Sequence, residues 1–183
     1  FQVVLLDRHN YHLFQPLLYQ VATAGLEPSS IAFPIRGILS RQKNFFFRLA
    51  EAIKIIPDEN VLITSIGNIP YHYLVIATGS ESNFFGNPHY EQYGIGMKSL
   101  AEAVRIRNYG LRLIEKVLLL PDEEEKEKAL NFVITGGGPT GVELAGALAE
   151  FRESILTKDY PELNKDWMHI HLVEGSTRLL ATF

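Results

Sequence analysis

The stretch from Leu130 to Glu150, LNFVITGGGPTGVELAGALAE, constrains the fold of this chain more than any other part of its sequence. An apolar run leads into a glycine-rich turn, and a helix-favouring run of small residues follows. Three glycines, Gly136, Gly138 and Gly141, satisfy the pattern G-x-G-x-x-G. Between a strand and a helix, these glycines permit a tight turn, a close approach of the backbone to a pyrophosphate, and close packing of helix on strand. The stretch therefore predicts a strand–turn–helix unit that binds a dinucleotide.

A second predicted strand, HIHLVEG, ends at Glu174. An acid at this point accepts hydrogen bonds from the adenosine ribose hydroxyls and repels the 2′-phosphate of NADP, which favours NAD. Because Glu174 lies further along the chain than the usual ~20 residues, we expect an enlarged connection between the strands. The alternatives are a plain βαβ unit with a flexible loop and a solvated acid at a strand end.

Glu143 follows the glycines in the predicted helix, and we expect it in the first helical turn. One interpretation is a favourable interaction between its carboxylate and the helix dipole. The other is a carboxylate near the nicotinamide end of the cofactor. The residues by themselves do not decide between the two.

Composition excludes several classes of function. Of the 183 residues, 46% are hydrophobic, so the chain can form a core, and this composition argues against disorder. A net charge of −4 argues against nucleic acid as a partner. The chain has no cysteine, which excludes disulfides and a dithiol redox relay within it, and no metal site is predicted. No apolar run approaches the roughly 18 residues that a transmembrane helix needs.

The remaining elements predict an α/β protein with parallel sheets and a small antiparallel meander. QVVLLD is expected to be a strand buried in a parallel sheet. Several short strands follow, up to and including YHYLVIATG. Ser99 and Glu102 form a capping box at the start of a long helix, and the acidic run PDEEEKEKA is interpreted as a linker or solvated turn. The predicted domains are residues 1–97, a connecting helix and linker over 98–129, and residues 130–183.

Two further segments point to a second nucleotide. VVLLD ends in Asp7, as the second strand of another dinucleotide-binding unit does, and an apolar strand ends in Ala77, Thr78 and Gly79. Ligands of open parallel sheets bind at the carboxyl ends of strands, where small residues let a cofactor approach the backbone. Together with the downstream unit, these residues predict a first nucleotide site, whose own glycine loop is expected to precede Phe1.

FQPLLYQVATA, YHYLVIATGS, MKSLAEAVRIRN and VITGGGPTGVELAGALAE together resemble the type II NADH dehydrogenases, which are single-subunit NADH:quinone oxidoreductases of the pyridine nucleotide-disulfide oxidoreductase superfamily. The resemblance extends over essentially the whole chain. It implies two Rossmann-like domains, one that binds FAD and one that binds NADH. It also implies that electrons pass from NADH through the flavin to a membrane quinone, in a respiratory chain.

The resemblance implies a role for each site residue. Asp7, Thr78 and Gly79 would bind FAD, with Ala52 near its adenine end. The loop near the flavin would contain Gln15 and Pro16. Glu143 would lie near the nicotinamide and Glu174 at the adenosine ribose. The residues implied in binding the NADH pyrophosphate are Gly136, Gly138, Pro139, Thr140 and Gly141.

Compared with that family, we expect the chain to be a piece that lacks the first glycine loop and the C-terminal membrane anchor, and to be inactive by itself. The longer protein would be peripheral on the inner face of the cell membrane, facing the cytoplasm. A homodimer is a possible state of it. Two alternatives stay open. One is a flavin-dependent NAD(P)H oxidoreductase that reduces a protein such as a ferredoxin, and the other is a non-catalytic nucleotide-binding module.

Overall fold

A computed structural model of the protein describes residues 1–181. The strands are β1 Val3–Asp7, β2 Tyr11–Leu13, β3 Ala32–Pro34, β4 Phe45–Leu49, β5 Ala52–Ile56, β6 Val61–Thr64, β7 Gly67–Pro70, β8 Asn131–Thr135 and β9 His169–Val173. The α-helices are α1 Leu18–Ala22, α2 Ile35–Ile38, α3 Pro88–Tyr93, α4 Leu100–Leu118, α5 Glu123–Ala129, α6 Pro139–Glu150 and α7 Thr157–Asp159. Short 3₁₀ turns lie at Gln15–Leu17, Pro28–Ser30, Pro57–Glu59 and Lys165–Trp167, and a π-helical stretch, Phe151–Leu156, extends α6.

The chain folds as two compact units. The first unit comprises Phe1–Leu13 and Ala32–Glu81, and the second comprises Phe14–Ile31 together with residues 82–181. The predicted domains, residues 1–97, 98–129 and 130–183, stay a prediction.

Parallel and antiparallel pairs both occur in the first unit. β1 pairs in parallel with β4, β2 pairs antiparallel with β3, and β5, β6 and β7 form an antiparallel meander. The meander is confirmed, and so is the strand that ends at Asp7. The expected burial of β1 is not confirmed, because Val3 and Val4 are 48% and 44% exposed. Its apolar pattern indicated a sheet covered on both faces, and the described residues do not cover it.

The predicted strand YHYLVIATG is wrong. Residues 71–80 have no regular secondary structure, and Val75 and Ile76 are 86% and 66% exposed. The apolar, β-branched composition favours a strand, but a strand also needs a neighbour to which its N–H and C=O groups bond. No strand of residues 1–181 pairs with this segment.

In the second unit, β8 and β9 form a parallel pair in which Asn131 lies opposite His169. The connection between them contains α6, the π-helical stretch, α7 and the last 3₁₀ turn, which confirms the expected enlargement. The core lies between α4, α6 and this connection. Its fully buried members are Ile114, Val117, Leu130, Leu156 and Met168.

Helix α4 begins as predicted. The Ser99 hydroxyl accepts a hydrogen bond from the Glu102 N–H, and the Glu102 carboxylate accepts one from the Ser99 N–H. Each bond satisfies a donor that the helix itself leaves without a partner.

The acidic run after α4 is a helix, not the predicted linker or solvated turn. Asp122 is its N-cap and accepts a hydrogen bond of 2.8 Å from the Glu125 N–H. Acids occupy the first turn and Lys126 and Lys128 the last, so the charges match the helix dipole at both ends. Within residues 1–181, no helix combines the length and the apolar character needed to cross a bilayer.

Candidate functional site

The glycine turn forms the bend between β8 and α6. Gly136 follows β8 with a φ of 111°, a left-handed conformation that side chains disfavour. Its N–H donates to the Val173 carbonyl at 2.8 Å, so the pairing with β9 extends into the turn. Gly138 is the N-cap of α6 and Pro139 its first residue, the position at which proline's missing N–H costs nothing.

Gly141 lies where the helix touches the turn. A Cβ at this position would overlap the carbonyl oxygen of Gly136 and approach Leu172 to 3.3 Å. Only glycine fits this position without a shift of the backbone. Gly138 differs from Gly141, because a Cβ on Gly138 would meet nothing within 4 Å. Space beside Gly138 is therefore open to a ligand.

The amino end of α6 carries donors without partners in the helix. The first intrahelical hydrogen bond of α6 is that of the Val142 N–H, which donates to the Gly138 carbonyl at 3.1 Å. The N–H groups of Thr140 and Gly141 precede it and have no intrahelical acceptor, and no side chain caps this helix. Free amides at the positive end of a helix dipole bind phosphate without any lysine or arginine.

Glu174 follows β9 and bonds directly to the glycine turn. Its Oε2 accepts a hydrogen bond from the Gly137 N–H at 2.6 Å, and its Oε1 accepts one from the Ser176 N–H at 2.7 Å. These amide donors, that of Gly137 first, hold the pKa of the Glu174 carboxyl below its ordinary value of 4.5. The group is therefore an anion at neutral pH, beside the turn.

Gly137 and Leu179 are site residues that the sequence pattern missed. A Cβ on Gly137 would come within 2.5 Å of Leu179 and 3.0 Å of Glu174, and the Leu180 N–H donates to the Gly137 carbonyl at 2.8 Å. The segment after β9 thus packs on the turn. The sequence GGGP contains a signal for Gly137. The three-glycine pattern allows any residue at this position, but the chain has a glycine there, and the structure leaves no room for a side chain.

A cleft of about 310 Å³ lies next to the turn. It brings together the predicted residues Gln15, Pro16, Pro139, Thr140 and Glu143. The sequence placed these residues in two different cofactor sites, and the structure gathers them along one cavity. Its other lining residues, which the pattern did not indicate, are Leu18, Tyr19, Met97 and Lys98.

Glu143 is the fifth residue of α6 and is exposed, so the expected position in the first turn is wrong. Pro139 begins the helix one residue after the last loop glycine, which places Glu143 just beyond the first turn. Its charge thus lies outside the region where the helix dipole acts most strongly.

The predicted residues of the first unit are exposed or half-buried. Asp7 ends β1, and its carboxylate accepts a hydrogen bond of 2.7 Å from the His9 N–H. Ala52 begins β5 opposite Thr64. Thr78 and Gly79 lie in the irregular segment, where Gly79 has a φ of 73°. No group of three or more metal-ligating side chains occurs in the part of the chain that the structure describes.

The chain is similar in sequence to NADH:quinone and NAD(P)H-ubiquinone oxidoreductases from different organisms. It is 34% identical to the type II NADH:quinone oxidoreductase Ndh of Mycobacterium tuberculosis, over 97% of this chain and 39% of that protein. It is 36% identical to the external alternative NAD(P)H-ubiquinone oxidoreductase B3, mitochondrial, of Arabidopsis thaliana, over 100% of this chain and 34% of that protein. The chain therefore spans less than two fifths of the length of these relatives.

The structure agrees with that similarity. NDH2 from Plasmodium falciparum in complex with NADH superposes with a TM-score of 0.90 at 30% identity, covering 100% of this chain and 39% of that chain. This match confirms the predicted fold class, with Rossmann-like units, and the resemblance to type II NADH dehydrogenases. The family model of the pyridine nucleotide-disulphide oxidoreductases matches residues 1–183. By sequence and by fold, the chain belongs to the pyridine nucleotide-disulphide oxidoreductase family.

Proposed function

We propose that the protein at its natural length is an FAD-dependent enzyme that transfers electrons from NADH to a membrane quinone. The observation that carries this proposal is the glycine turn, where free amides at the amino end of α6 lie beside the Glu174 carboxylate. The sequence relatives are named as NADH:quinone and NAD(P)H-ubiquinone oxidoreductases, which supports this acceptor.

NADH binds at this turn. The amides of Thr140 and Gly141 donate to the pyrophosphate, and the open side of Gly138 lets it approach. The Glu174 carboxylate accepts hydrogen bonds from the adenosine ribose. Because this carboxylate is an anion, it repels a 2′-phosphate and selects NADH over NADPH.

The bound FAD supplies the redox chemistry, since it accepts a hydride and passes electrons on. In the first unit, Asp7, Ala52, Thr78 and Gly79 bind its adenosine and phosphate side. A Cβ on Gly79 would meet nothing within 4 Å, so the backbone there is open to a cofactor. Gln15 and Pro16 bind the flavin ring in the cleft.

Glu143 lies near the nicotinamide and orients it. The cleft that Glu143 lines also contains Pro139 and Thr140 from the pyrophosphate end of the site. Hydride transfer would need no general base, so the contribution of the chain is to bind and orient the nicotinamide.

The protein works as a peripheral protein at the inner face of the cell membrane, where its quinone is dissolved. The acceptor supports the location, because a quinone that stays in the bilayer requires the enzyme at the membrane surface.

The test is an assay of the purified protein at its natural length. We expect a yellow preparation that contains FAD and oxidises NADH when a soluble quinone is added. A colourless, inactive preparation would contradict the proposal. Activity with a ferredoxin but not with a quinone would contradict the acceptor alone.

Cofactor preference tests the role of Glu174 separately. We expect Glu174→Arg to raise the Michaelis constant for NADH at least tenfold and to lower that for NADPH, because it replaces a repelling charge with an attracting one. Glu162→Arg, an exposed acid with no hydrogen bond to the glycine turn, is the matched control. An unchanged preference for NADH would mean that Glu174 does not face the ribose.

A further inference from the structure

Lys98 and Glu143 are the two charged residues among those that line the cleft. They belong to different segments, since Lys98 precedes α4 and Glu143 lies on α6. Neither side chain forms a salt bridge with another of residues 1–181. Two opposite charges therefore line one cavity without pairing with each other.

The backbone of Lys98 is held from two sides. Its N–H donates to the Glu102 carboxylate at 2.9 Å, and its carbonyl accepts a hydrogen bond of 3.2 Å from the Gln15 side-chain amide. Glu102 belongs to the capping box of α4, and Gln15 belongs to the loop that lines the cleft. The half-buried stem of Lys98 thus starts from a fixed point at the wall of the cavity.

The position of Lys98 is electrostatically unfavourable for the helix it precedes. A cation next to a helix amino end opposes the helix dipole, and most helices carry acids there. Stability of α4 therefore does not explain a lysine at this place. Residues that break such a local rule concentrate at functional sites.

The lining of the cleft carries charges of both signs. Lys98 contributes a positive charge, and the amino end of α6, with Pro139 and Thr140, contributes the positive end of a helix dipole. Glu143 contributes a negative charge. A planar ring bound here lies close to a cation, and the volume of about 310 Å³ lies within the range of small-ligand sites.

We propose that Lys98 stabilises the negative charge that the flavin ring gains on reduction, and that it thereby raises the reduction potential of the bound FAD. The inference rests on the proposed function. In the step concerned, the C4–H bond of the dihydronicotinamide breaks, and the hydrogen passes with both electrons to N5 of the ring. The nicotinamide becomes a cation, and the ring gains one hydrogen and one negative charge. A fixed cation in the cleft favours that charge distribution.

The experiment measures the reduction potential of the FAD in the holoprotein of natural length, by spectroscopic titration against a reference dye. We expect Lys98→Met to lower the ratio of reduced to oxidised flavin at a fixed potential about tenfold, which equals about 30 mV for a two-electron couple. Lys98→Arg keeps the charge and should keep the potential. Lys116→Met is the matched control, because it removes a cation from α4 away from this cleft.

Each outcome decides between defined alternatives. An unchanged potential in Lys98→Met, or an equal fall in Lys98→Arg, would overturn the inference and leave the proposed function intact. If Lys98→Met loses its FAD, Lys98→Gln provides the same measurement. Loss of FAD from both neutral variants would make Lys98 a residue that holds the cofactor, and would also overturn the inference. A wild-type protein without FAD would instead overturn the proposed function.

Discussion

Gly141 and Gly146 lie five residues apart on α6, and their surroundings differ completely. A Cβ on Gly141 would overlap the Gly136 carbonyl oxygen, whereas one on Gly146 would meet nothing within 4 Å. Glycine therefore has different effects at the two positions of this helix. At Gly141 it permits contact, and at Gly146 it lowers helix propensity without a packing reason within the described residues.

This contrast provides a matched pair of variants. We expect Gly141→Ala to displace the turn, to reduce the free energy of unfolding by about 1–3 kcal/mol, and to raise the dissociation constant for NADH at least tenfold. Gly146→Ala should raise the free energy of unfolding by about 0.5–1 kcal/mol and leave NADH binding unchanged. Urea denaturation and a fluorescence titration with NADH measure the two quantities. Equal effects of the two substitutions would show that the turn tolerates a side chain at Gly141.

The Glu174 carboxylate makes the stability of the turn depend on pH. Its pKa in the folded protein lies below the ordinary value of 4.5, because the Gly137 and Ser176 amides donate to it. The stabilisation is therefore present in full above about pH 4.5 and disappears as the pH falls through the lowered pKa.

We expect Glu174→Gln to be less stable than the wild type at pH 7, with a difference that shrinks as the pH falls below 4.5. Chemical denaturation at a series of pH values measures this difference. Glu162→Gln, which removes a carboxylate with no bond to the turn, serves as the control. A constant difference between Glu174→Gln and the wild type over the whole series would contradict the assigned hydrogen bonds.

Among the elements, two helices show what local sequence can and cannot predict. The capping box of α4 was found from Ser99 and Glu102 alone, because each bond joins residues three positions apart. The charge density of the run after Asp122 predicts a linker or solvated turn, but the run forms a helix. The acids there have a local role, since Asp122 caps the helix and Glu124 pairs with Lys128 one turn later.

The cap of α4 gives a prediction at this scale. We expect Ser99→Ala to reduce the free energy of unfolding by about 1 kcal/mol, since the Glu102 N–H loses its acceptor. Thermal and urea denaturation measure the loss. Ser29→Ala, at an exposed serine in a 3₁₀ turn, should change stability by less than about 0.5 kcal/mol. A Ser99→Ala protein as stable as this control would mean that the cap contributes nothing.

For the whole molecule, the core of the second unit depends on residues that are far apart in sequence. Leu130 precedes β8, Leu156 ends the π-helical stretch, and Met168 precedes β9, and all three are essentially inaccessible to solvent. The enlarged connection between β8 and β9 is thus not a loose insertion. It supplies part of the core on which the two strands rest.

Neighbouring residues Ile155 and Leu156 test this role. Leu156 is 0% exposed and Ile155 is 40% exposed. We expect Leu156→Ala to reduce the free energy of unfolding by about 2–5 kcal/mol, because it leaves a cavity. Ile155→Ala should cost well under half as much. Urea denaturation measures both, and similar losses would indicate that the connection does not pack as described.

The sequence by itself determined what short-range rules control. It predicted the strand–turn–helix unit around Gly136 and Gly141, the cap of α4 and the antiparallel meander, because turn geometry, helix capping and strand alternation depend on residues a few positions apart. It also marked Glu174 as a site residue, from the expected end of a strand.

Only the tertiary structure decided the rest. It showed that Tyr71 to Ser80 lacks a partner strand among residues 1–181, that Leu179 packs on Gly137, and that Lys98 shares a cavity with Glu143. The last two features join segments that are about 40 or more residues apart. No local propensity encodes them, because hydrogen-bonded pairing and side-chain packing arise only when the chain brings distant segments together.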